Sequence, residues 1–133
     1  MLEYHVTARR LDGHGSLVTA KEASLIADTD PAGRPDAMNP AELLLAALSA
    51  CIIKGAERVL PVLGFALRGI EVRLHAVRQD SPPKLLSIDY VITVDTDEPD
   101  SRLELLHTNI RKYGTISNTL SLAVPITGRI VRA

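Results

Sequence analysis

The sequence predicts an α+β protein. Three observations carry this expectation. The first third of the chain is rich in Val, Thr, Leu and Ile and broken by turn residues. The tetrapeptide Asn39-Pro40-Ala41-Glu42 then opens a long apolar helical stretch. Beyond it, two runs of strict apolar/polar alternation precede a second helical pattern. Hairpins separated from helices favour α+β over a doubly wound parallel sheet.

Taken in order, Leu2 to Arg10 and Ser16 to Ala27 read as strands, with Lys21-Glu22 able to divide the second run in two. Asp12-Gly13-His14-Gly15 between them is expected to turn through glycine at positive φ. Asp28 to Met38 is a loop by its Pro and Gly content. At the next helix start, Asn39 is an N-cap, Pro40 loses only an orphan N–H, and Glu42 reaches back to the cap. The stretch Leu43 to Ile53 is apolar nearly all round, so burial on every side is expected. It becomes amphipathic from Lys54 to Leu60, and Pro61 or Gly64 should kink or end it.

Leu67 to Arg78 places Ile70, Val72, Leu74 and Ala76 on one face. Leu86, Ile88, Tyr90, Ile92 and Val94 do the same on the following strand, after a turn at Ser81-Pro82-Pro83. Ser101 with Glu104 reads as a second capping box, Leu103, Leu106, Ile110 and Tyr113 as the inner face, and Gly114 as a C′ residue in the left-handed region. Ser117 to Ala123 suits a short helix and Pro125 to Arg132 a final edge strand. The whole chain, 1–133, is read as one domain.

Composition excludes several function classes. With 15 basic and 16 acidic residues, no electrostatic footprint for nucleic acid or a polybasic membrane anchor is expected. One Phe, three Tyr and no Trp are too few rings for a base-stacking surface. The apolar stretch is about half the length of a membrane span. The N-terminus lacks the basic-then-apolar layout of a secretion signal, and a single cysteine agrees with a reducing compartment, so a cytoplasmic location is expected. A chain of 133 residues gains buried surface by pairing, so a homodimer is expected as well.

Chemistry centres on Cys51. One reading is a small hydrophobe in a core; the other is a reactive thiol, which needs a nearby positive charge. The helix N-terminus is about three turns away, so the charge would have to come from an arginine elsewhere. Glu42 precedes Cys51 by nine residues, on the opposite helical face and about 13 Å along the axis. Its local reading is a capping carboxylate. His5, His14, His75 and His107 share no metal-ligand spacing, and no metal or cofactor is expected.

Asn39-Pro40-Ala41-Glu42-Leu43-Leu44, with Ala46-Ala47-Leu48-Ser49-Ala50-Cys51, resembles the central-helix signature of the OsmC/Ohr family, in its YhfA-like branch. Lys112-Tyr113-Gly114-Thr115-Ile116-Ser117-Asn118-Thr119-Leu120 resembles that family's second motif, with Gly114 where a resolving cysteine usually stands. The resemblance implies an intertwined α+β homodimer around buried central helices, and reduction of organic hydroperoxides by a peroxidatic thiol. On that basis Cys51 is the peroxidatic candidate. Glu42 and Arg10 (or its neighbour Arg9) are assisting candidates, and an external thiol or dithiol is the reductant. Ala41 stands where the assisting carboxylate of the peroxidase branches normally follows the proline. The losses at Ala41 and Gly114 leave a second reading: a non-peroxidatic protein that binds a small apolar ligand at the dimer interface.

Overall fold

The computed structural model describes residues 1–133. The chain gathers into two compact units, Met1–Ala46 and Ala47–Ala133. The element order is β1 (Thr7–Arg10), β2 (Gly15–Ala20), β3 (Ala23–Asp28), α1 (Pro40–Leu63), β4 (Gly69–Gln79), β5 (Lys84–Asp95), α2 (Asp100–Tyr113), α3 (Thr115–Leu120) and β6 (Ile126–Arg132). This is the predicted α+β succession.

In the N-terminal unit, β1, β2 and β3 form an antiparallel sheet in that order. β1 is shorter than the Leu2 to Arg10 run. Thr7 already pairs with Thr19, and β2 ends at Ala20, so the residues before Val6 have no strand opposite them. The first turn is built differently from the expectation. Neither Gly13 nor Gly15 takes a positive φ. Instead the Asp12 carboxylate accepts the N–H of His14 at 2.8 Å and of Gly15 at 3.1 Å, a side-chain clasp that replaces glycine geometry. The second turn falls at Lys21-Glu22 as predicted, with Lys21 at φ 55.

The loop after β3 is closed on itself. Asp28, 5% exposed, accepts the N–H groups of Asp30 and Arg34, both at 3.0 Å, and gives its own N–H to Met38 O at 2.9 Å. The loop delivers the chain to the helix start. There Asn39 Oδ1 accepts the Glu42 N–H at 2.9 Å, and Glu42 Oε1 accepts the Asn39 N–H at 3.0 Å. The predicted capping box is formed in both directions.

In the C-terminal unit, α1 runs through Pro61 to Leu63. The carbonyl that Pro61 cannot serve belongs to Glu57, which lies on the exposed side of the helix, where water can bind it. Gly64 then ends the helix at φ 59, with Phe65 N–H to Leu60 O at 3.0 Å and Gly64 N–H to Pro61 O at 3.4 Å. This paired closure needs a residue in the left-handed region, which glycine adopts without a Cβ clash. Within one chain α1 is not buried all round. Leu48, Ile52, Gly55, Ala56 and Val59 are buried, whereas Leu44 is 36% and Val62 82% exposed.

β4, β5 and β6 form the second sheet in that order, β4 antiparallel and β6 parallel to β5. The predicted inner face of β5 holds at Ile88, Tyr90, Ile92 and Val94. Leu86 departs from it. The register steps from Val77↔Ser87 to Arg78↔Leu85, which makes Leu86 the extra residue of a bulge and leaves it 44% exposed. The expected Ser101/Glu104 capping box is absent. α2 begins at Asp100 behind Pro99, so Ser101 already lies inside the helix, and the Pro99 carbonyl accepts from Arg102 at 2.9 Å. On its inner face Leu103, Leu106 and Ile110 are joined by His107, and Tyr113 is 49% exposed. The short helix comes two residues earlier than predicted, because Gly114 serves at once as the end of α2 and the N-cap of α3.

Candidate functional site around Cys51

Cys51 stands on α1, half-buried, next to the buried Ile52 and one turn after the buried Leu48. α1 and α2 come together at a glycine. Placing a methyl carbon on Gly55 would put it 3.8 Å from the backbone oxygen and 3.9 Å from the Cα of Ile110. This close approach brings the end of α2 to the cysteine. A methyl carbon on Gly114 would lie 3.7 Å from Cys51 Sγ, 3.4 Å from Ser117 Cβ and 3.3 Å from Ile110 O. The two motif positions, 51 and 114, therefore meet within a single chain. Gly114 itself has φ −80 and ψ 109, not the left-handed conformation expected of it, so its backbone accepts any residue. Its contact with sulfur is a matter of side-chain size.

The other sequence candidates belong to the N-terminal unit. The Glu42 carboxylate is taken up by the Asn39 cap, and Ala41 beside it is exposed. Arg10 belongs to the N-terminal unit, exposed on β1 opposite Ser16. With Asp12, Gly13, Ser16, Thr29 and Pro31 it lines a surface cavity of about 330 Å³. Ser16 and Thr29 share a hydroxyl–hydroxyl bond of 2.8 Å there.

Three of the four histidines are each held by one side-chain partner. His14 Nδ1 is 2.7 Å from Asp30 Oδ2, and that carboxylate raises the imidazole pKa. His75 Nδ1 is 2.9 Å from Asp89 Oδ1, across the β4–β5 pair. His107 is the residue that the sequence reading passed over. It is 6% exposed, and its Nε2 lies 2.7 Å from the hydroxyl of Tyr90, itself 4% exposed. The rings meet edge to face at 5.7 Å. Burial, reinforced by Arg111, pushes the His107 pKa down, and burial pushes Tyr90 up. Its one sequence signal was position: three residues before Ile110 on the apolar stripe of α2. No helix of the chain is long and apolar enough to cross a membrane.

Comparison with known proteins places these features in a family. No curated protein matches the sequence. Among solved structures, an OsmC-like protein from Mycoplasma pneumoniae superposes with a TM-score of 0.89 at 16% identity, over 99% of this chain and 98% of that one. An organic hydroperoxide resistance protein OsmC from Legionella pneumophila gives 0.72 at 18% identity, over 98% and 97% of the two chains. The organic hydroperoxide resistance protein OhrB of Bacillus subtilis gives 0.70 at 19%, over 98% of each. At such identities the likeness is one of fold. The family described as OsmC-like protein matches residues 33–128, a span that takes in both motifs, and the chain belongs to that family.

Proposed function

We propose that this chain is a one-cysteine, thiol-dependent organic hydroperoxide reductase that serves oxidative stress defence in the cytoplasm. The observation that supports it is the convergence of position 114 on the Cys51 sulfur. Cys51 thiolate attacks the terminal oxygen of the hydroperoxide. The S–O bond forms, the O–O bond breaks, and the alkoxide takes up a proton and leaves as the alcohol. The sulfur becomes a sulfenic acid. With glycine at 114 no intrachain disulfide can follow, and an external thiol or dithiol returns Cys51 to the reduced state. A reactive thiolate needs a positive charge beside it, and the group that supplies it is proposed to be an arginine. The working form is a homodimer. The exposed apolar side chains of α1, Leu44 and Val62, are surface that a second copy would cover.

The experiment is mass spectrometry of Cys51 after exposure to cumene hydroperoxide, with Cys51→Ser as control. Trapping of a sulfenic acid, and loss of hydroperoxide consumption in Cys51→Ser, is the expected result. An unmodified Cys51 in folded protein would overturn the reading. It would favour the second one, a non-peroxidatic protein holding a small apolar ligand, which the absence of a carboxylate at Ala41 supports.

A further inference from the structure

Around the β1–β2 turn and the loop after β3, most charged side chains hold a partner. Arg34 grips Asp36 at 2.6 and 2.8 Å, and His14 Nδ1 stands 2.7 Å from Asp30 Oδ2. Arg10 and Asp12 break this pattern. They carry opposite charges and line the same surface cavity of about 330 Å³, yet they do not pair with each other. Asp12 accepts the N–H groups of His14 and Gly15 through Oδ1 alone, which leaves Oδ2 unbonded. The Arg10 guanidinium makes no hydrogen bond or ion pair, and its Nη2 lies 3.8 Å from where a methyl carbon on Gly13 would stand.

The floor of the cavity is polar too. Ser16 is 8% exposed, and its hydroxyl meets that of Thr29 at 2.8 Å. Two hydroxyls carry two protons, and their shared bond uses one; the other has no acceptor in the protein. Arg10, Asp12, Gly13, Thr29 and Pro31 around the rim are exposed, so the cavity opens directly to solvent.

We infer that this cavity is a binding site for a small zwitterion of the α-amino-acid class. The ligand carboxylate meets the Arg10 guanidinium, whose planar fork matches two carboxylate oxygens, and accepts the spare hydroxyl proton of Ser16 or Thr29. The ligand ammonium donates to Asp12 Oδ2. An anion alone would face the uncompensated charge of Asp12, and a cation alone that of Arg10. Only a ligand bearing both signs satisfies the two together. The cavity is at the small end for a ligand site, which suits a molecule of few atoms. The inference is independent of Cys51 and its chemistry.

The test is an NMR titration of the full chain with L-alanine, following backbone amides. Saturable shifts are expected at Gly13, Ser16 and Thr29, with a Kd of about 1 mM. N-acetyl-L-alanine keeps only the carboxylate charge and L-alaninamide only the ammonium, and each should bind about tenfold more weakly or worse. Arg10→Gln and Asp12→Asn should each weaken L-alanine by about tenfold as well. Asp12→Asn retains the side-chain oxygen that accepts from His14 and Gly15, so the turn persists, and the same spectra report the fold of both variants. No saturable shift up to about 50 mM L-alanine would overturn the inference. So would shifts confined to other residues, equal binding of either half-charged analogue, or binding that neither substitution changes.

Discussion

Gly114 and Gly128 both lie in the C-terminal unit, and their neighbours make opposite demands. On β6, any Cβ at Gly128 would overlap the ring of Tyr90, which packs flat against the glycine while its hydroxyl reaches His107. At Gly114 a Cβ meets only ordinary or slightly tight contacts, one of them the Cys51 sulfur. The first glycine is required by packing, because the space is already filled. The second is not required by the backbone, and the close neighbours of its buried site include a thiol. The two glycines are thus told apart by what they face, an aromatic ring in one case and a thiol in the other.

The largest expected effect breaks the packed side of this contrast. Gly128→Ala should destabilise the protein by about 3 kcal/mol, because a filled site must shift the Tyr90 ring and the bond that it makes. Urea denaturation would show this as a lower midpoint. A loss under about 1 kcal/mol would mean that the ring moves aside freely, and would erase the distinction drawn here. Tyr90→Phe should follow at roughly 1–2 kcal/mol, since it leaves His107 buried without its partner.

Acid should weaken the same clamp. The His107 pKa is depressed in the folded state by burial and Arg111. The unfolded chain therefore takes up the proton first, and stability declines as pH falls below about 6.5, levelling once the folded imidazole is also protonated. His14 acts in the opposite sense. Its raised pKa, set by Asp30, gives stability that is full below the unfolded value and lost as pH rises through the folded one. Melting temperatures of the wild type and His107→Gln from pH 7 to 5 separate the two. The wild type should lose more over that range, and parallel curves would remove His107 from the account.

The smallest stability change belongs to the chemical side. Gly114→Cys should alter stability by no more than about 1 kcal/mol, given a backbone that tolerates a side chain. Its redox behaviour should change completely. The Cβ position lies 3.7 Å from Cys51 Sγ, within reach of a disulfide after a small adjustment. Mild oxidation should give a 51–114 linkage in non-reducing peptide maps, and hydroperoxide turnover should then depend on a dithiol. A folded variant without that linkage would mean that the sulfur and residue 114 do not align.

Much of this was legible in residue order. The Asn39 to Glu42 cap formed as expected because all its atoms lie within four residues, and no distant group competes for them. The similar signature at Ser101 and Glu104 did not form. Pro99, with its fixed φ and a carbonyl free for Arg102 and Leu103, opened the helix first. Alternation found the inner face of β5 but not the bulge at Leu86, which depends on how β4 lies beside it. Cys51 was identified from its helix and motif, and Gly114 from its place in the second motif, whereas the conformation of Gly114 was misjudged. Its place after α2 suggested a left-handed cap, whereas its φ is −80, and the approach of α1 through Gly55 sets it against the sulfur as its place in the second motif implies.

By itself, then, the sequence determined what rests on neighbours along the chain: the succession of strands and helices, the capped start of α1, its glycine-closed end, and the two motifs that mark the OsmC-like family. The tertiary structure alone decided what rests on residues far apart in that order. It set Tyr90 against His107 and Gly128, and residue 114 against the sulfur of Cys51. Local rules act through bonds and dihedrals that a short peptide already has. A contact across 63 positions, from 51 to 114, exists only once packing has closed the chain on itself.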